Sequence, residues 1–87
     1  MDEGRGVVLY TTVPCGYCRR AKELLVARGI AFREVVLPRT AEGRERLAEV
    51  APHARTFPVI VIDGVALGGY ADLVEWDRAG RPAVGAV

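Results

Sequence analysis

Cys15 and Cys18 stand two residues apart in the stretch YTTVPCGYCRRAK and are the only thiols of an 87-residue chain. A pair at that spacing can exchange electrons as dithiol and disulfide, hold a metal, or staple the fold. A structural zinc site needs four ligands, and beyond the pair there is one histidine, His53, and no second Cys-x-x-Cys. The metal assignment from sequence is therefore none, with His53 read as a loop or surface residue. A staple across so short a loop removes little chain entropy. Inert core filling is the remaining alternative for two cysteines at helical spacing. Against it, Pro14-Cys15-Gly16 breaks the local pattern, where side chains tend to be accessible. Redox exchange is the chemistry that the spacing favours.

The elements around the pair set its geometry. VVLYTT (7–12) is rich in β-branched and aromatic residues and reads as a buried strand. From Tyr17 to Arg28 the period turns helical, with Cys18, Ala21, Leu24 and Leu25 on one face and Gly29 closing the helix. IAFREVVL (30–37) reads as a second strand. Thr40 caps a helix through Val50 whose buried side includes Leu47 and Val50, and Pro52 stops it. FPVIVI (57–62) is a third strand, turned by Asp63-Gly64 into VAL. YADLVEWDRA (70–79) is a last helix ended by Gly80. The order β-α-β-α-β-β-α predicts an α/β fold: a mixed four-stranded sheet with helices on its faces, its first two strands parallel. Residues 1–80 form one domain, and 81–87 read as a flexible tail.

This order places Cys15 at a strand-to-helix junction and Cys18 one turn into the helix. The first turn of a helix offers unpaired N–H groups and the positive end of the dipole, which stabilise a thiolate. Arg19, Arg20 and Lys22 add positive charge. The thiolate is the attacking species in disulfide exchange, so Cys15 is placed as nucleophile and Cys18, on the inward side, as resolving thiol.

Composition narrows the partners. At 51% hydrophobic the chain carries enough apolar residues to fold alone, and a net charge of +1 with interspersed signs shows no basic stripe for nucleic acid. MDEGRG is acidic and glycine-rich, unlike a signal peptide, and no apolar run approaches a membrane span. The expectation is a cytoplasmic monomer with no membrane or nucleic-acid partner, in a compartment where disulfides tend to be transient and catalytic.

Over residues 6–78 the sequence resembles the glutaredoxins. YTTVPCGYC is similar to that family's strand and active-site segment, RTFPVI to its Thr-Val-Pro segment, and GGYADL to its Gly-Gly-x-x-Asp-Leu segment. The resemblance implies a thioredoxin-like fold and a glutathione-dependent thiol-disulfide oxidoreductase. Its catalytic pair would be Cys15 and Cys18, with no tightly bound cofactor and glutathione as co-substrate. The other partners would be oxidised or glutathionylated proteins. It further implies a cis Pro58, with the backbone of Thr56 and Phe57 pairing the cysteinyl part of glutathione. Gly69, Tyr70, Ala71 and Asp72 would hold the γ-glutamyl end, and Tyr17 would flank the groove. Residue by residue, blander readings also stand: a strand-edge Pro58, a simple helix start at Asp72, an exposed aromatic at Tyr17.

Three positions depart from the family pattern. Thr12 stands where many members have Lys and Ala54 where many have Gln, both contacts of the glycine carboxylate; losing them would cost about 1–3 kcal/mol of binding. Arg39 and Arg55 are the candidates to compensate. Gly16 replaces the proline of the Cys-Pro-Tyr-Cys form, relaxing the helix start. Some members without that proline bind a two-iron two-sulfur cluster between two subunits through the first cysteine and glutathione. Two alternatives thus stay open: a cluster carrier or sensor, and a small redoxin reduced by thioredoxin reductase that serves one enzyme such as ribonucleotide reductase.

Overall fold

The structure is a computed structural model that describes residues 6–84. Seven elements follow in order: β1 (Val7–Thr11), α1 (Gly16–Ala27), β2 (Phe32–Val36), α2 (Ala41–Val50), β3 (Val59–Ile62), β4 (Val65–Gly68) and α3 (Tyr70–Arg78). They form one four-stranded sheet in the order β2-β1-β3-β4. β1 pairs parallel with β2 and antiparallel with β3, which pairs antiparallel with β4. The predicted βαβ unit and hairpin are both present.

The sheet is filled from both sides, which is why its central strands carry continuous apolar runs. Successive side chains alternate between faces. Leu9, Ile60 and Ile62 pack with Ala21 and Leu25 of α1 and Leu73 of α3. Val59 and Val61 pack on the other face with Leu37, Leu47 and Ala51. Burial of Leu9, Leu25, Ile60 and Leu73 is complete, and each such side chain contributes about 1.5–3 kcal/mol to folding.

Local chemistry ends each element where it does. The α1 terminus is closed by Gly29 N–H to Val26 O (3.0 Å) and Ile30 N–H to Leu25 O (2.9 Å), a Schellman arrangement. Thr40 caps α2, its hydroxyl accepting from Gly43 N–H at 3.2 Å. At the β3–β4 turn both Asp63 (φ 51°) and Gly64 (φ 83°) are left-handed, as a two-residue hairpin loop requires. Helix α1 is braced to α3 by Arg28, whose guanidinium lies 3.0 Å from the Asp77 carboxylate.

The observed elements are a little shorter than the periodicity suggests. β3 begins at Val59, because Phe57-Pro58 turns into the strand and proline has no N–H for the ladder. Helix α1 starts at Gly16, one residue earlier than Tyr17. Val50 is only half-buried at the end of α2. Beyond α3, Arg81 N–H bonds Trp76 O (2.9 Å), the Trp76 indole N–H donates to Pro82 O (2.9 Å), and Val84 packs on the core. Residues 85–87 of the tail lie outside the described residues. No helix among the described residues is long and apolar enough to cross a membrane.

Candidate active site

Four chain segments meet at one end of the sheet. The register pairs Thr11 with Val36, Tyr10 with Val59, and Ile60 with Gly68. The exits of β1, β2 and β4 and the entry of β3 therefore lie together. The loop after β1 carries Cys15, the segment before β3 carries Thr56-Phe57-Pro58, and the turn after β4 carries Gly69.

Cys15 is the N-cap of α1, with extended backbone, and its Sγ accepts the N–H of Cys18 at 3.1 Å. The two cysteines are joined as a disulfide with Cα atoms 5.2 Å apart. Their surroundings differ sharply. Cys15 is half-exposed, whereas Cys18 is 3% exposed and on the inward face of α1. One cysteine is thus open to solvent and the other faces the core, as a nucleophile and its resolving thiol require.

Beside the pair runs a groove of about 300 Å³ lined by Tyr17, Thr56, Phe57, Pro58, Gly69, Tyr70, Ala71 and Asp72. These are the eight groove residues of the sequence reading, and the fold brings all of them to one surface. Phe57–Pro58 is cis, and so is Val13–Pro14. Tyr17 is 57% exposed, its ring centroid 5.7 Å from that of Tyr70, with the Arg20 guanidinium 5.4 Å from the Tyr17 centroid. This aromatic pair links the starts of α1 and α3 across the groove.

The start of α3 is held by Asp72, whose Oδ2 accepts the N–H of Gly69 at 3.0 Å. That carboxylate sits in the first turn of α3, where the helix dipole favours negative charge. Trp76 and Leu73 lie on the inner side of α3 as expected of core residues. His53 is exposed and lines, with Arg55 and Thr56, a second hollow of about 330 Å³ on the other side of Pro58.

Behind the pair lies a network that the sequence did not announce. The buried Thr11 hydroxyl donates to Glu34 Oε2 at 2.7 Å, and Lys22 Nζ lies 3.2 Å from the same oxygen. The Thr11 hydroxyl chiefly, with Lys22 adding to it, holds the Glu34 carboxyl below its ordinary range against the opposing effect of desolvation. Thr11 and Glu34 are 23 residues apart, so only the parallel β1–β2 pairing brings them together.

Two of the departures from the family pattern acquire a location. Thr12 is 3% exposed, and its hydroxyl makes no hydrogen bond with the described residues. It does not project a polar group into the groove from an exposed position. Arg39 is exposed, and its Nη2 donates to the carbonyl oxygen of Pro14, the residue before Cys15. A cation from the β2–α2 loop is thereby tied to the loop that carries the accessible sulfur.

Comparison with known proteins follows this geometry. The Glutaredoxin family model matches residues 7–67. A curated glutaredoxin of Pseudomonas aeruginosa is 43% identical over 75 residues, covering 86% of this chain and 88% of the relative. Among solved structures, a buckwheat glutaredoxin–glutathione complex superposes with a TM-score of 0.74 at 28% identity, covering 87% of this chain and 71% of that one. The holo form of glutaredoxin C1 from Populus tremula x tremuloides does so with 0.74 at 30% identity, covering 92% and 81%. The family model spans most of this chain and the relatives are matched over most of their length, so the chain belongs to the glutaredoxin family of thiol-disulfide oxidoreductases.

Proposed function

We propose that the chain reduces protein disulfides and glutathione mixed disulfides with glutathione as reductant, acting as a monomer in the reducing cytoplasm. The observation that carries this reading is the half-exposed Cys15 Sγ at the N-cap of α1, accepting a backbone N–H, beside the Tyr17–Asp72 groove. Once the pair is reduced, the same N–H and the helix dipole stabilise the Cys15 thiolate over the thiol.

With a glutathionylated protein, the Cys15 thiolate attacks the glutathione sulfur, and the protein thiolate leaves and takes a proton. A second glutathione thiolate then attacks the Cys15-bound sulfur, giving oxidised glutathione and regenerating the Cys15 thiolate. With a protein disulfide, Cys15 forms a mixed disulfide and frees one substrate thiol. Cys18 attacks the Cys15 sulfur, frees the other and closes the Cys15–Cys18 disulfide, which two glutathiones reopen. In the bound glutathione, the backbone of Thr56 and Phe57 pairs the cysteinyl unit. The amides at the start of α3 take the γ-glutamyl carboxylate, and Asp72 takes its ammonium. The buckwheat relative, solved as a glutathione complex, supports glutathione as the ligand.

The test is turnover of a glutathionylated peptide with glutathione, glutathione reductase and NADPH as the only reductants. Turnover that survives Cys18→Ser and vanishes in Cys15→Ser is the expected result. Absence of turnover by folded, reduced protein, with thioredoxin reductase restoring it, would overturn glutathione dependence.

A second reading is a glutathione-ligated two-iron two-sulfur cluster carrier, since Gly16 stands where the Cys-Pro-Tyr-Cys form has proline and a Cβ there would meet nothing within 4 Å among the described atoms. Visible absorbance of anaerobically purified protein, together with a dimer on gel filtration, separates this reading from the first.

A further inference from the structure

Thr11 is the last residue of β1 and the root of the loop that carries Cys15. Its buried hydroxyl donates to Glu34 Oε2 at 2.7 Å, and the same oxygen lies 3.2 Å from Lys22 Nζ. Glu34 belongs to the edge strand β2 and Lys22 to α1. Lys22 follows Cys18 by four residues, so it stands one turn further along the same side of the helix. Arg19, Arg20 and Glu23 are exposed. One carboxylate therefore joins the root of the Cys15 loop to the helix that bears Cys18.

The two bonds of this link differ in weight. The Lys22–Glu34 pair is partly exposed and by itself contributes little. The Thr11 hydroxyl is 1% exposed, and a buried donor on a charged acceptor is costly to release. That same bond is the first cause that lowers the Glu34 carboxyl and keeps it charged. Thr11 thus fixes Glu34, and Glu34 fixes the Lys22 ammonium over the sheet edge.

Such a link matters when the sulfurs are apart. While Cys15 holds a substrate sulfur, no covalent bond joins it to Cys18. The Cys18 thiolate attacks the Cys15 sulfur and the Cys15–Cys18 bond forms. The bond from Cys15 to the substrate breaks, and the substrate sulfur leaves as a thiolate that takes a proton. The rate of that step follows how closely the fold confines Cys18 to Cys15, their effective molarity. The Thr11–Glu34–Lys22 link does not run through either sulfur, so it confines them whether or not they are joined.

We propose that Glu34 is a positioning residue for the resolving step: anchored by Thr11 and gripping Lys22, it holds α1 on the end of β1 so that Cys18 meets the mixed disulfide on Cys15. This deepens the dithiol route of the proposed function and rests on it; glutathione binding is not involved.

The test compares the full-length wild type with Glu34→Gln, Thr11→Val and Thr11→Ser. The first measurement is an equilibrium: reduced protein and oxidised glutathione against the Cys15–Cys18 disulfide and two glutathiones, read by mass after acid quenching and alkylation. Its constant is expected to fall about three- to tenfold in Glu34→Gln and Thr11→Val, a tenfold fall being about 30 mV for this two-electron couple. Thr11→Ser keeps the hydroxyl and should stay near the wild type. The second measurement is kinetic. Reduction of a cyclic peptide disulfide, which needs Cys18, should slow by the same factor, while turnover of a glutathionylated peptide, which needs Cys15 alone, should not change. A link that only stabilises the fold would lower the melts of both redox forms alike and leave the constant unmoved, which would overturn the proposal. Equal slowing on both peptides would overturn it as well. A wild type that reduces neither peptide would strike the dithiol reading instead, and the equilibrium constant, which needs no turnover, would still decide whether Glu34 confines the pair.

Discussion

Gly68→Ala is the substitution that most directly probes how the groove is built. Gly68 has φ +136°, a region that costs an L-residue about 1–3 kcal/mol. A Cβ there would also lie 3.0 Å from Asp72 Cβ and closer still to its carboxylate. Asp72 would have to swing away and release the Gly69 N–H it now accepts at 3.0 Å, a further loss of about 0.5–1 kcal/mol at this exposed site. The sum is about 1.5–4 kcal/mol, or a fall in Tm on the order of 6–30 °C for a domain of this size. Because Gly69 and Asp72 line the groove, KM for a glutathionylated substrate should rise about tenfold with stability measured separately. Urea melts of the oxidised protein and steady-state kinetics read the two effects. Gly69→Ala is the control: its φ is ordinary, and its Cβ would meet only Pro58 O at 3.6 Å, a normal contact. In an Asp72→Ala background, Gly68→Ala should cost only the backbone part. A Gly68→Ala protein as stable as the wild type, or a Gly69→Ala protein equally damaged, would refute the reasoning.

Three further outcomes are expected. The folded Glu34 carboxyl lies below its ordinary value of 4.5, so its stabilisation is present above that value and is lost as pH falls through the folded one. Glu34→Gln should therefore be less stable by about 0.5–1 kcal/mol at pH 7, the gap closing as pH falls below 4.5 in chemical melts across pH. Leu25→Ala, at a fully buried site between α1 and the sheet, should lower unfolding free energy by about 3–5 kcal/mol in urea. Trp76→Phe removes the indole donor to Pro82 O. It should cost about 1 kcal/mol and hasten proteolysis near residue 82, read by mass spectrometry.

Much of this architecture was legible because it is written in local signals. Asp63-Gly64 specified a tight hairpin, Thr40 a helix cap, and the shift from period two to period 3.6 after Pro14 the junction that bears Cys15. The eight groove residues came from the resemblance of three separated motifs to the glutaredoxins, and the fold brings those motifs to the same end of the sheet. What escaped were contacts made across strands by long side chains. Thr11 with Glu34, and Arg39 with Pro14, are 23 and 25 residues apart and leave no periodic trace. Thr12 fell within the stretch read as a buried strand, and the packing buries it although the strand ends one residue earlier.

The asymmetry between the two sulfurs has a consequence for how the protein can be watched. Cys18 is covered by the core and lies on the helix that follows β1, the strand paired on both sides. Uncovering Cys18 requires the first turn of α1 to lift off the core, whereas Cys15 needs no such opening. In the reduced protein, an alkylating reagent therefore finds Cys15 at once and Cys18 only when that turn opens. The chain carries its own opening clock: the rate of the second adduct, followed by mass in the presence of a partner or ligand, reports how far that molecule stabilises the start of α1.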